Sequence, residues 1–139
     1  MHTFTFEANF HNLDEIRDFV GESARQAGFS EKEIYSIQLA ADEASTNIIE
    51  HAYAGIENGK IEIGCSITGG ELKIVMRDNG KSFDPSSVPE PNVKAELSER
   101  KIGGLGMYLM RKLMDDVVYE SFPDAGNTLT MIKRKGVAG

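Results

Sequence analysis

KIEIGCSITGGELKIVMRDNG, residues 60–80, decides how the chain is read. Ile61, Ile63, Cys65 and Ile67 alternate with Glu62, Gly64 and Ser66, and Leu72, Ile74 and Met76 repeat the same spacing further on. A period of two places each set on one face of a strand. Gly69-Gly70 lies between the two runs, and paired glycines supply the positive φ that a two-residue hairpin turn needs. Lys60–Thr68 and Glu71–Asp78 are therefore a predicted hairpin. Two residues beyond Met76 the inward row reaches Asp78, followed by Asn79-Gly80. An inward carboxylate left unpaired costs several kcal/mol, so this strand end calls for hydrogen-bond donors.

Upstream, Ser30 and Glu33 have the spacing of a capping box and open a helix running to about Tyr53. Its apolar stripe is Ile34, Ile37, Ala41, Ala44, Ile48 and Ala52. An earlier helix is capped by Asn12, carries Asp14 and Glu15 in its first turn, and ends at Gly28. Its stripe is Leu13, Ile16, Val20, Ala24 and Ala27. Thr3–Ala8 alternates and reads as a strand.

Downstream, residues 79–101 lose all periodicity and hold three of the four prolines. A run of that length inside a compact domain is a functional lid or a disordered segment. Gly104–Asp115 reads as a helix, Val117–Phe122 and Asn127–Lys133 as a second hairpin, and 136–139 as a tail. Within the last strand, the alternation of Thr128, Thr130 and Ile132 is expected to turn Thr130 inward. Met107, Met110 and Met114 share one helical face suited to packing. The order strand, two helices, two strands, lid, helix, two strands predicts an α/β (α+β) two-layer sandwich. Its sheet is expected to be mixed and mostly antiparallel, with helices on one face. One domain over residues 1–135, with a lid at about 80–102, accounts for the 139 residues.

Hydrophobic residues make up 40% of the chain and charged residues 27%, the balance of a globular protein. Cys65 is the single cysteine, which excludes an internal disulfide and argues against a cysteine metal site. A net charge of −7 argues against a nucleic-acid partner, whose affinity rests on a basic face. It leaves room for an anion held by backbone N–H groups, a helix N-terminus and a metal. No apolar run is long enough for a membrane span, and Met1–Phe10 holds Glu7 and no basic stretch, so a cytoplasmic location is expected.

Three constellations carry chemistry. Glu43, Asn47 and His51 follow one another at intervals of four on the flank of the second helix. Asn47 is suited to hold Mg²⁺ and Glu43 to act as a base, although such a pair alone is more often a solvated face. Asp78-Asn79-Gly80 offers a carboxylate for an exocyclic amine and a bare backbone for close approach, or else a simple turn. Ile102-Gly103-Gly104-Leu105-Gly106 places glycines at a helix N-terminus, where phosphates meet backbone N–H groups. Arg100 and Lys101 precede it and could neutralise phosphate charge or be solvated lid residues. Without Gly-Lys-Ser/Thr it is no P-loop, and Leu109 stands where a dinucleotide fingerprint has its third glycine.

Taken in order, these segments resemble the GHKL ATP-binding superfamily of gyrase, Hsp90, histidine kinase and MutL type, with its Bergerat fold. Glu43-Ala-Ser-Thr-Asn47 through Tyr53, Asp78 through Asp84, and Gly103 through Asp116-Val117 resemble the anti-sigma-factor serine kinases of general stress and sporulation. The resemblance implies that Glu43 is the catalytic base and Asn47 the Mg²⁺ ligand. It implies nucleotide binding by Asp78, Gly80, Ser82, Arg100, Lys101, Gly103, Gly104, Leu105, Gly106 and Thr130, with Asp78 on the adenine amine. Ser82 replaces the second glycine of the superfamily's Asp-x-Gly-x-Gly box. The expected function is a kinase that uses Mg-ATP (leaving ADP) to phosphorylate a serine of a STAS-type anti-sigma-factor antagonist, and that sequesters a sigma factor as a homodimer. The alternative is a nucleotide-gated partner-binding module without catalysis.

Overall fold

The computed structural model describes residues 1–82, 104–122 and 125–136. The elements are β1 (His2–Glu7), α1 (Leu13–Gln26), α2 (Glu31–Asn47), β2 (Lys60–Thr68), β3 (Glu71–Asp78), α3 (Gly104–Leu113), β4 (Asp116–Phe122) and β5 (Gly126–Arg134). The expected strands and helices are present in the expected order. They form one sheet, β1-β2-β3-β5-β4. All four neighbouring pairs are antiparallel, so the expected mixture contains no parallel pair among the described residues. The reason lies in the connections. Two helices between β1 and β2 return the chain to the end where β1 finished. One helix between β3 and β4 makes those strands run the same way, but β5 lies between them and opposes both.

The inner face of the sheet carries Ile61, Ile63, Cys65, Leu72, Ile74, Met76, Leu129 and Met131, all buried. Against it pack Ile16 and Val20 of α1, Ile34, Ile37, Ala41 and Ala44 of α2, and Met107 and Met110 of α3. Each fully buried aliphatic side chain contributes roughly 1.5–3 kcal/mol, so this layer contact is the main source of stability. Ile67, beside the Gly69-Gly70 turn, is 43% exposed, so the β2 row leaves the core before the turn. Burial pushes the Cys65 thiol above its ordinary pKa, which keeps it protonated and unreactive.

Two ends differ from the sequence reading. Asn12 precedes α1, but its side chain makes no cap; a 3₁₀ turn at Phe10–Asn12 intervenes, and Asn12 Nδ2 donates instead to the Glu7 carbonyl at 2.9 Å. The second helix stops being α-helical at Asn47 and continues as a π turn over Ile48–Ala52, closed by the Tyr53 N–H donating to the Ile48 carbonyl at 3.0 Å.

The capping box of α2 is formed. Glu33 N–H donates to Ser30 Oγ at 3.2 Å, and Ser30 N–H donates to Glu33 Oε1 at 3.0 Å. Gly136 N–H donates to Glu33 Oε2 at 3.1 Å, so the same carboxylate pins the chain after β5. These backbone donors, that of Ser30 foremost, hold the Glu33 carboxyl below the usual range. Ser30→Ala is expected to lower unfolding free energy by about 1 kcal/mol. Urea titration measures it, and an unmoved midpoint would show the cap to be idle.

Candidate nucleotide site

The site grows from the end of β3. Asp78 is the last inward residue of that strand and is only 6% exposed. Its Oδ1 accepts from the Gly80 N–H at 2.9 Å and from Asn127 Nδ2 at 2.8 Å. Burial pushes the Asp78 carboxyl above the ordinary aspartate range, and those two hydrogen bonds oppose the shift. Both described donors fall on Oδ1, which leaves Oδ2 as the oxygen for the cavity that Asp78 lines.

Sequence reasoning missed Asn127. It stands opposite Asp78 in the β3–β5 register and is 2% exposed. Its Nδ2 also reaches the carbonyls of Gly80 at 3.0 Å and Lys81 at 3.3 Å, while its Oδ1 accepts from Ser121 Oγ at 2.9 Å. Thr130, expected inward, lies on the opposite face of β5, paired with Val75 and Val118. The inward row is Asn127, Leu129, Met131. The sequence signal is slight, Leu129 and Met131 against two threonines and Ile132, and pairing with Met76 and Asp78 decides the face.

Gly80 is held against the π turn. A Cβ there would fall on the Ala52 carbonyl, and the Lys81 N–H donates to that same oxygen at 2.7 Å. The bare backbone at 80 thus serves contact with α2's extension. Gly80 and Lys81, at the start of the expected lid, are tied to both β5 and the π turn.

Asn47, the last residue of α2, reaches the same cavity as Asp78. Its Nδ2 is buried without a hydrogen-bond partner among the described residues. The remaining walls are Ala44, Ile48, Ala52, Met107, Met110, Leu129 and Tyr119, nearly all apolar. The enclosed space is about 20 Å³, roughly the room of one water. Met107 and Met110 in this wall are unbranched side chains, which adapt readily to what a cavity holds.

Glu43 lies one turn before Asn47 on α2 and does not line this cavity. Its neighbour Asp42 fixes the rotation of the helix. Arg17 Nε and Nη2 of α1 reach Asp42 Oδ2 at 3.0 and 2.9 Å. His51 sits in the π turn, whose i→i+5 bonding breaks the four-residue interval of Glu43 and Asn47, and it too is absent from the cavity wall. Ser82 borders a separate polar cleft of about 330 Å³, shared with Asn79, Gly80, Ser121 and Asn127. Gly104, Leu105 and Gly106 form the first turn of α3. Arg100, Lys101 and Gly103, with most of the expected lid, lie outside the described residues.

A carboxylate and an amide thus meet on one largely apolar cavity, the kind of concave, mostly apolar lining with few polar groups that small-molecule sites use. The family described as "Histidine kinase-like ATPase domain" matches residues 6–133, and the chain belongs to it. Such a domain binds ATP. Within the family the chain is similar to the serine-protein kinase RsbW of Listeria innocua, with 37% identity over 114 residues, 79% of this chain and 71% of that protein. It is also 37% identical to that of Bacillus licheniformis over 85% of this chain and 75% of the relative. The RsbW of Bacillus subtilis is 35% identical with the same two coverages. These relatives make it a serine/threonine protein kinase of the RsbW type. Among solved structures, the RsbU and RsbW domains of Rv1364c from Mycobacterium tuberculosis share the fold, with a TM-score of 0.66, 18% identity, and 96% of this chain on 32% of that one. The SiaB-SiaC complex of Pseudomonas aeruginosa shares it with a TM-score of 0.60 and 12% identity, over 96% of this chain and 89% of that one. No helix among the described residues is long and apolar enough to cross a membrane.

Proposed function

We propose that this kinase binds Mg-ATP with the base against Asp78, phosphorylates a serine of a STAS-type anti-sigma-factor antagonist, and sequesters the sigma factor. The observation that carries it is the meeting of Asp78 and Asn47 on one apolar cavity. The donor chemistry fits the ligand. Asp78 Oδ2 is an acceptor for an exocyclic amine, and the walls suit a flat ring. Asn47 offers an amide oxygen for Mg²⁺, an ion that takes one or two protein ligands and completes its shell with phosphates and water. Bound magnesium would supply charge neutralisation on the phosphates.

The chain's own residues divide the remaining work. Asp78 orients the base. The first turn of α3, Gly104–Gly106, offers N–H groups and a positive dipole end to phosphate. Glu43 takes the proton of the attacking serine as its oxygen bonds to the γ-phosphorus and ADP departs. Positioning and charge neutralisation suffice for most of this acceleration.

The test mixes the protein with Mg-ATP and a STAS-type antagonist from the same genome, then weighs the antagonist. A gain of one phosphate on a serine is expected. Tight ATP binding without that gain would replace the kinase reading with a nucleotide-gated binding module.

A further inference from the structure

The Asp78-Asn79-Gly80 turn is held from two sides, and only one holder touches Asp78. On the other side stands Tyr53, the residue that closes the π turn. Its ring is buried, and its hydroxyl donates to the Lys60 carbonyl at 2.6 Å. The same oxygen accepts from the Asn79 N–H at 2.9 Å. The hydroxyl thereby joins the first residue of β2 to the residue just past the end of β3. The ring lies directly on Gly59, where a Cβ would come within 2.5 Å of Cδ1 and 2.7 Å of Cε1. Tyr53 is also covalently continuous with the π turn that follows Asn47, and the Ala52 carbonyl just before it accepts from the Lys81 N–H at 2.7 Å.

We propose that Tyr53 is a positioning residue for base recognition: its hydroxyl fixes the turn that aims the free oxygen of Asp78, at a set distance from the metal-side amide of Asn47. Resting on the reading of Asp78 as the base-binding group, it names a residue that acts without touching the ligand. Two backbone contacts, Asn79 to the hydroxyl and Lys81 to Ala52, make the turn and the end of α2 move as one piece. With the hydroxyl removed, the Asn79 N–H loses its acceptor, and the turn is held only through Gly80 and Lys81, leaving its β2 side loose. The carboxylate then keeps its chemistry and loses its aim.

The experiment compares wild type, Tyr53→Phe and Gly59→Ala by calorimetry with Mg-ADP and with Mg-inosine diphosphate, which lacks the exocyclic amine. Tyr53→Phe is expected to weaken ADP by about fivefold, the scale of one hydrogen bond, and to leave inosine diphosphate unchanged. Gly59→Ala, which must displace the ring without touching the site, should reproduce that loss of selectivity. Hydrogen exchange at the Asn79 amide should quicken in both variants. Equal weakening of the two nucleotides, or unchanged ADP binding, overturns the role given to Tyr53. Absence of nucleotide binding in the wild type instead overturns the function on which it rests, so the two failures are distinguishable.

Discussion

Asp78→Asn is expected to lower affinity for ADP and ATP by about 100-fold while raising the melting temperature of the nucleotide-free protein at neutral pH. The first effect follows from which oxygen is already engaged. Gly80 N–H and Asn127 Nδ2 both donate to Oδ1, so the amide oxygen of the substituted side chain must stay there. The new NH₂ then faces the cavity and meets the base amine donor to donor. A charge-assisted hydrogen bond is lost and a repulsion gained, together worth about two orders of magnitude. Inosine diphosphate, with a carbonyl in place of the amine, should lose far less. The second effect follows from burial, which raises the carboxyl's pKa in the native state. Between the ordinary aspartate pKa and the raised one, the native protein holds a proton that the unfolded chain has released. Stability therefore falls as pH rises through that window and stays lowered above it. The amide has no such proton, so the variant's profile lacks this decline. Melting curves across the acid-to-neutral range measure it; a variant less stable than wild type at neutral pH would show that burial does not penalise this carboxylate.

Glu43→Ala should do the reverse. It should leave ADP affinity within about twofold and slow phosphoryl transfer by about 10²–10⁴, the usual share of a general base. Glu43 does not line the cavity between Asp78 and Asn47, which is why binding should survive its loss. Its place one turn before Asn47, on a helix whose rotation is set by the Arg17–Asp42 pair, is why the rate should not. Single-turnover transfer to the antagonist measures the effect. A variant that transfers at the wild-type rate would remove Glu43 from the mechanism.

The sequence was legible wherever the determining contacts are local. The Ser30–Glu33 box spans three residues and formed as read. The Lys60–Thr68 and Glu71–Asp78 hairpin followed from period-two rows and two glycines that both take positive φ. The same rows delivered Asp78 to the interior. Legibility failed where a distant element decides. Both alternating rows of β5 look plausible alone, and pairing of Met76 with Leu129 and Asp78 with Asn127 selects the inward one. Thr130 was thus assigned the wrong face, and Asn127 went unnoticed. Asn12 looked like a cap because a 3₁₀ turn has no sequence mark distinguishing it from a helix entrance. The π turn at Ile48–Ala52 was equally invisible, being made of residues that an α-helix accepts.

The insertion of β5 between β3 and β4 has a temporal consequence. Asp78 and Asn127, the two side chains hydrogen-bonded at the polar end of the cavity, are 49 positions apart. A chain growing from the ribosome completes the β2–β3 hairpin and both early helices well before Asn127 is made. Closing so wide a loop is entropically slow, and until it closes the carboxylate is buried without its amide partner or is still hydrated. If Asp78 receives the base as proposed, a nascent chain should take no nucleotide until its final strand has docked. On that reading ADP would act as a latch on the last step of folding, stabilising only chains whose C-terminal hairpin is already in place.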